Sequence, residues 1–350
     1  MKKLISLALV LLMTLSITAC SSSGSASVTT GTIAESSTAA ESTAVPASEV
    51  AGEPLKVALC MSGAANDQGW NQAAYDGAVK SCEKYNCELS YTENLETADI
   101  AAAFADYASA GYDVIIGHGY EFGDPALEVA ATYPDAIFIC TEADASADNV
   151  SSYVMACEQT AFVEGMIAAN MTESGKVGAI GPYQGDSLVK IINGFEDGAL
   201  SVNPDLVVET AWTNSFVDTQ LAKEAATAMI EDGVDVIKHC ANACGTGAIN
   251  AAVAAGIWFQ GDSYDQTSLG PDNILDSALY NLDVVLDLAL GSVADGTFKG
   301  EVYNLGMADG AVALKLSDNL PDNVKAIAEK AIEDIISGDL VVTRDYTVRN

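Results

Sequence analysis

Residues 56–79, KVALCMSGAANDQGWNQAAYDGAV, constrain the fold of this chain more than any other stretch. The segment opens with a nearly continuous apolar run from Val57 to Met61, as a parallel strand buried on both faces requires. Small and polar residues with two glycines follow and predict a loop, and a helix is expected from about Asn71. In an open α/β sheet such a loop lies at the carboxyl end of a strand, where ligands bind. The residues that we expect to face this cleft are Asn66, Asp67, Trp70 and Asn71.

The same alternation of strand, loop and helix continues along the chain in two runs of similar length. The stretches GYDVIIG, from Gly111, and GVDVIKH, from Gly233, resemble one helix-to-strand junction that is used once in each run. A single open sheet of about ten strands is the alternative, but twisted sheets of that width are uncommon. The alternation therefore predicts an α/β protein with two doubly wound, Rossmann-like lobes and a ligand cleft between their strand ends.

The N-terminal residues predict export. Lys2 and Lys3 precede a short apolar segment, and small residues stand directly before Cys20, a pattern that resembles the bacterial lipoprotein signal. This resemblance implies a signal peptide at residues 1–19 and acylation of Cys20, so lipid would anchor the chain at the extracytoplasmic face of the cell membrane. Residues 20–53 contain no aromatic residue, Lys or Arg and predict a disordered tether. An ordinary secretory signal with a chance cysteine is the alternative.

Charge and motifs exclude several classes of partner. The 350 residues carry a formal net charge of −34, and without a basic stripe such a chain is not expected to bind nucleic acid. Cys240 and Cys244 follow His239, but zinc would need a further ligand at a suitable spacing, so we expect no metal site. Gly245 and Gly247 resemble half of a phosphate loop without its Lys, and we expect no cofactor.

Five stretches of the chain carry a family resemblance. They start at Asn66 (NDQGWNQ), Ile115 (IIGHGY), Lys176 (KVGAIG, with NGFEDG from Asn193), Phe216 (FVD) and Gly261 (GDSYDQ). Together they resemble the basic membrane protein family of bacterial lipoproteins, the purine-nucleoside receptors of ABC importers. The resemblance implies a type I periplasmic binding protein fold, with two lobes joined by a hinge. We place lobe 1 at residues 54–156 and about 279–310, and lobe 2 at residues 157–278 and about 311–350.

Carried over position by position, the resemblance implies a site for a nucleoside, in the first place a purine nucleoside. Trp70 from one lobe and Phe216 from the other would stack on the two faces of the base, at about 1–3 kcal/mol for each stacked ring. Asp262 and backbone amides near Gly245 would bind the ribose hydroxyls. Tyr120 is placed either at the pocket wall or at the lobe surface. The residues assigned to the base edge are Asn66, Asp67, Asn71 and Glu142.

Two residues differ from the family pattern. Tyr280 stands where the family usually has a Lys, so the ammonium that would pair with Asp262 is missing, although the phenol can donate one hydrogen bond. Glu142 stands where an Asp is usual. A pyrimidine nucleoside, a modified nucleoside or another polar ring therefore remains an alternative ligand.

The resulting prediction is an extracytoplasmic receptor without enzymatic activity, which closes on a nucleoside and docks as a monomer on an ABC permease in the membrane. A sugar receptor of the same fold is the first alternative, because sugars are also bound by aromatic rings and acids. A sensor module that passes its closed state to a membrane receptor is the second. A surface hydrolase of nucleosides is the third, although the sequence has no paired His, no serine elbow and no metal cluster.

Overall fold

A computed structural model of the chain describes residues 53–349. The predictions for the signal peptide, for Cys20 and for the tether as far as residue 52 lie outside the described residues. Among the residues that are described, no helix is both long enough and apolar enough to span a membrane.

Strands and helices alternate along the described chain, as the sequence pattern predicts. The strands are β1 (Lys56–Met61), β2 (Glu88–Thr92), β3 (Val114–His118), β4 (Ile137–Thr141), β5 (Val150–Met155), β6 (Lys176–Gly181), β7 (Val207–Trp212), β8 (Val236–His239), β9 (Trp258–Gly261), β10 (Ile274–Tyr280), β11 (Val302–Leu305) and β12 (Val312–Leu316). The helices are α1 (Trp70–Tyr85), α2 (Ile100–Ser109), α3 (Gly123–Ala130), α4 (Cys157–Met171), α5 (Asp186–Val202), α6 (Thr219–Glu231), α7 (Asn242–Ala255), α8 (Leu282–Ala294) and α9 (Asp322–Ser337).

The strands form two six-stranded sheets with equivalent strand orders, which differ only in the direction of the last strand. The first sheet has the order β11-β5-β4-β3-β1-β2, and the second has the order β12-β10-β9-β8-β6-β7. Neighbouring strands are parallel except β12, which runs antiparallel to β10. The two similar stretches that begin at Gly111 and Gly233 form the equivalent strands β3 and β8. Both glycines have a positive φ, 79° and 100°, which favours glycine. The prediction of a two-lobed α/β fold is confirmed.

Strand β1 shows why the central strands read as continuous apolar runs. Val57 and Leu59 pack against α1 and α8 on one face of the first sheet, whereas Ala58 and Cys60 pack against α2 and α3 on the other. Because the strand is covered on both faces, all positions from Val57 to Met61 are buried, and only Lys56 at its start is exposed. In the second sheet, α4 and α5 cover one face and α6 and α7 the other.

The chain passes between the two sheets three times. The crossings lie between β5 and α4, between β10 and α8, and between β11 and β12. We propose these crossings as the lobe boundaries. Because β10 belongs to the second sheet as far as Tyr280, the second crossing falls at residue 281 rather than at 279. Three adjacent connections of this kind allow the lobes to move as rigid bodies about a hinge.

Candidate ligand-binding site

A cavity lies between the two lobes, and the empty space in it and in front of it, open solvent included, amounts to about 600 Å³. Lobe 1 borders it with the loops after β1, β3 and β4, and lobe 2 with the loops after β7, β8 and β9 and with the end of β10. The strand order reverses beside β1 and β6, and open α/β sheets bind ligands at such points. The predicted site residues that line the cavity are Trp70, Tyr120, Glu142, Phe216, Asp262 and Tyr280.

The indole of Trp70 is held from behind by a buried histidine. The two ring centroids lie 4.0 Å apart with an angle of 22° between the planes. The His118 ring is fixed at both nitrogens, because Nε2 lies 3.1 Å from the Trp70 carbonyl and Nδ1 lies 2.9 Å from Thr141 Oγ1. Burial lowers the pKa of His118 to about 3, so the imidazole is neutral at physiological pH. The indole is therefore held in a fixed orientation on the lobe 1 side of the cavity, with an uncharged ring behind it.

Phe216 lines the same cavity from lobe 2, between β7 and α6. Its ring contacts Tyr183, with centroids 5.2 Å apart and an angle of 50° between the planes. Its carbonyl accepts a hydrogen bond of 2.9 Å from the Cys244 N–H, which ties the loop to α7. Tyr120 lies near the mouth and is 42% exposed. The structure thus brings the two predicted aromatic walls to one cavity.

Asp262 is the polar anchor of the lobe 2 wall. The Tyr280 hydroxyl donates a hydrogen bond of 2.9 Å to Oδ1, and the Ser263 hydroxyl donates one of 2.6 Å to Oδ2. The hydrogen bond expected from the phenol at position 280 is therefore present. An ammonium is also present, because Lys238 Nζ lies 3.9 Å from Oδ1 and approaches from the protein interior. The cation near Asp262 comes from a different strand than the family pattern implied.

Lys238 belongs to a buried charge network beneath the cavity. Its ammonium lies 2.6 Å from Glu164 Oε2, and both side chains are fully buried. Burial alone would lower the pKa of Lys238, but the carboxylates of Glu164 and Asp262 outweigh this effect and raise it. Burial and the charge of Glu164 raise the pKa of the neighbouring Asp276 well above its ordinary value. The network therefore offers one cation to Asp262 from below.

Glu142 lines the cavity, but its carboxylate is already engaged. Lys190, on α5 of lobe 2, donates a hydrogen bond of 2.7 Å to Glu142 Oε2 and another of 2.7 Å to the Met155 carbonyl. The Met155 N–H binds the second oxygen of Glu142. Oε2 thus joins the two lobes beside the first crossing, whereas Oε1 is bound within lobe 1. The assignment of Glu142 to the base edge stays a prediction, because each oxygen can accept a second hydrogen bond.

The loop after β1 also differs from the expectation. Asp67 accepts hydrogen bonds from the backbone N–H groups of Gly69, Asn71 and Gln72 and from the Asn71 side chain, so it caps α1. Asn71 is fully buried and accepts a hydrogen bond from the Gly63 N–H. Asn66 is exposed and does not line the cavity. In this conformation Asp67 and Asn71 shape the loop, and none of the three residues lines the cavity.

Gly245 does not line the cavity either. It lies within the first turns of α7, where a Cβ would come within 2.0 Å of His239 Nδ1. The glycine is required because α7 packs directly on the His239 ring. The expected contact between a ribose and backbone amides near this position stays a prediction.

Several polar residues of the site were not anticipated from the sequence. Glu121 and Asn242 line the cavity, and Lys190 and Lys238 lie behind its wall. Burial raises the pKa of Glu121. Only Lys238 had a readable signal, because the repeated stretches align it with Ile116, a core position of lobe 1. A lysine in such a position requires a buried partner.

Comparison with known families identifies the chain. The family model described as ABC transporter substrate-binding protein, PnrA-like, matches residues 55–344. The chain belongs to this family. As a PnrA-like protein it is the substrate-binding component of an ABC transporter, and it works on the extracytoplasmic side with a small-molecule ligand and a membrane permease as partners. The resemblance inferred from the five sequence stretches is confirmed.

Individual relatives agree with this placement. A purine-binding protein of Brucella abortus (strain 2308) is 34% identical over 294 residues, which cover 83% of this chain and 83% of the relative. A putative ABC transporter glucose-binding protein of Haloferax volcanii is 28% identical over 289 residues, 81% of this chain and 73% of the relative. The crystal structure of ABC transporter solute-binding proteins from Aeropyrum pernix K1 has a TM-score of 0.75 at 23% identity, covering 83% of this chain and 94% of that one. This last similarity shows the fold.

Proposed function

We propose that the protein is a nucleoside receptor of an ABC importer and that a purine nucleoside is its main ligand. The observation that carries this proposal is that Trp70 of lobe 1 and Phe216 of lobe 2 line one cavity. A planar base can stack on both rings, and each such contact contributes on the order of 1–3 kcal/mol. The name of the Brucella abortus relative supports a purine as the flat part of the ligand.

Asp262 supplies acceptors for the pentose in this proposal. Each carboxylate oxygen can accept two hydrogen bonds, and the hydroxyls of Tyr280 and Ser263 use one position on each. One position per oxygen is left for two neighbouring hydroxyls, as in a ribose. Glu121 lines the cavity, and in this proposal it forms the hydrogen bonds to the base edge that were first expected of Asp67.

The charge of the cavity favours an uncharged ligand. In the described part of the chain, no Lys or Arg lines the cavity. Lys190 and Lys238 lie behind its wall, and each is paired with a carboxylate. A phosphate group would approach Glu121 and Asp262 without a cation of its own. We therefore expect nucleotides to bind on the order of 100-fold more weakly than nucleosides.

We further propose that the protein acts by binding alone, as a monomer held at the membrane by lipid on Cys20. Closure of the lobes about the hinge would report the bound ligand to the permease. Two cysteines line the cavity, Cys157 and Cys240, but burial raises the pKa of both thiols. Protonated thiols are poor nucleophiles, which supports a receptor without catalysis.

A sugar receptor is the second candidate. The Haloferax volcanii relative is named as a putative glucose-binding protein, and one aromatic wall with Asp262 also suits a pyranose. The two candidates differ in what the second wall does, because a nucleoside uses both Trp70 and Phe216 whereas a monosaccharide needs one ring and more hydrogen-bonding groups.

Isothermal titration calorimetry tests the proposal. The protein, unfolded and refolded to remove any bound ligand, would be titrated with inosine, guanosine, adenosine, uridine, hypoxanthine, D-ribose, D-glucose and inosine monophosphate. We expect the purine nucleosides to bind best, with the free base, the free pentose and the monophosphate far weaker. Heat with D-glucose and none with nucleosides would favour the second candidate. Heat with none of these ligands would contradict both.

A further inference from the structure

Helix α1 is capped partly by its own loop and partly by the opposite lobe. The first N–H groups of any α-helix lack intrahelical partners. Here Asp67 accepts hydrogen bonds from the N–H groups of Asn71 (3.1 Å) and Gln72 (3.0 Å). The N–H of Trp70, the first residue of the helix, donates instead to Asn242 Oδ1 at 3.3 Å. Asn242 begins α7 of lobe 2, so this contact crosses the cleft.

The local geometry suits this contact. Asn242 has a φ of +50°, a left-handed conformation that Asn tolerates better than most residues. Opposite it stands Gly69, where a Cβ would lie 2.9 Å from Asn242 Oδ1. Any side chain at position 69 would therefore push the Asn242 amide away. The two residues form a close fit between the lobes at the rim of the cavity.

Two longer polar contacts accompany the Asn242 contact at the same edge of the cleft. The Gln266 side chain lies 3.4 Å from the Gln68 carbonyl, and Gln72 Nε2 lies 3.5 Å from the Tyr264 hydroxyl. Both also join lobe 2 to the start of α1. Asn242 makes the shortest of the three, and it is the one that reaches the backbone of a cavity residue.

The contact fixes the residue that carries the indole. The Trp70 carbonyl is already tied to His118 Nε2 within lobe 1. Its N–H finds a partner only in lobe 2, and opening of the cleft would remove that partner. The backbone of Trp70 is therefore held on both sides only when the lobes are closed.

We propose that Asn242 is a positioning residue that completes the cap of α1 across the cleft and thereby seats the Trp70 indole against the bound ligand. The inference rests on the proposed function, since it assumes that Trp70 contacts the ligand. Loss of the contact would favour the open form, so the ligand would dissociate faster. The association rate would be unchanged, because the ligand enters the open cleft. We expect an increase of about 2- to 30-fold in the dissociation rate, the factor that corresponds to the loss of one helix N-cap.

The test is stopped-flow binding of inosine to the full chain, followed by tryptophan fluorescence, with small-angle X-ray scattering of the ligand-free protein. Asn242→Ala removes the acceptor, Asn242→Asp keeps it, and Gly69→Ala displaces it sterically. Asn214→Ala is the matched control, because Asn214 has a similar φ of +56°, is exposed and does not line the cavity.

We expect Asn242→Ala and Gly69→Ala to raise the dissociation rate with an association rate within twofold of the wild type. Asn242→Asp should restore most of the wild-type rate, and Asn214→Ala should not differ from the wild type. An unchanged dissociation rate in Asn242→Ala, or an equal effect in the control, would overturn the proposal. If the wild type binds no nucleoside, the proposed function has failed. Scattering of the ligand-free protein then tests separately whether Asn242 holds the lobes closed. A larger radius of gyration in ligand-free Asn242→Ala supports the closing role, and an unchanged radius overturns it.

Discussion

Replacement of Lys190 by Met tests whether the ion pair behind the cavity couples the two lobes. The ammonium makes two hydrogen bonds of 2.7 Å, to Glu142 and to the Met155 carbonyl, and the side chains of the ion pair are only 1% and 7% exposed. Met fills a similar volume, so the main loss is electrostatic. Removing one partner of a buried pair costs about 3–5 kcal/mol, because the other charge is left without compensation.

Differential scanning calorimetry and urea unfolding measure this loss. For a chain of this size we expect Lys190→Met to lower Tm by roughly 5–8 °C. Adding Glu142→Gln should recover most of the loss, because no uncompensated charge then remains. Lys84→Met is the matched control, because the pair between Lys84 and Asp287 is exposed, and it should not change Tm measurably. A loss under about 1 kcal/mol for Lys190→Met, or no recovery in the double variant, would refute the reasoning.

Three further outcomes follow from the geometry. Trp70→Ala should weaken nucleoside binding by about 1–3 kcal/mol in calorimetry, whereas Trp70→Phe should retain most of the affinity, since stacking needs a flat ring. Equal affinities for the wild type and Trp70→Ala would show that the base does not stack on Trp70. Burial lowers the pKa of His118 to about 3, so the unfolded chain binds more protons and stability falls as pH falls below about 6.5. His118→Gln should therefore lose about 2 kcal/mol less than the wild type between pH 7 and pH 5 in urea unfolding, and parallel losses would contradict this. Gly198→Ala should lower the free energy of unfolding by about 1–3 kcal/mol, because a Cβ there would lie 1.9 Å from the Phe162 carbonyl oxygen. An unchanged urea midpoint would contradict this and show that α4 and α5 can separate at no cost.

The architecture and the two aromatic walls could be predicted from the sequence. Buried parallel strands read as apolar runs, and their alternation with helices leaves few arrangements other than doubly wound sheets. Trp70 and Phe216 each follow a strand at its carboxyl end, and such ends meet at the same edge of each sheet. Topology places both residues at the cleft, whereas the stacking role of Phe216 is what the family resemblance implied.

The polar half of the site could not be predicted in the same way. Asp67 stands three residues before the first residue of α1, and whether its carboxylate caps that helix or faces a ligand depends on the loop conformation. Glu142 meets Lys190 from the other lobe, a partner 48 residues away along the chain. Asn242 reaches Trp70 across the cleft, from a position 172 residues away along the chain. Contacts that depend on the relative position of two lobes leave no pattern along one strand or one helix.

The measurement that tests the account most directly is a crystal structure of the protein with inosine bound. We expect the hypoxanthine ring to lie between Trp70 and Phe216, with ring atoms about 3.5–4 Å from both, and the ribose hydroxyls to lie within hydrogen-bonding distance of Asp262. An inosine bound outside this cavity, or inside it with its base away from both rings, would contradict the central claim.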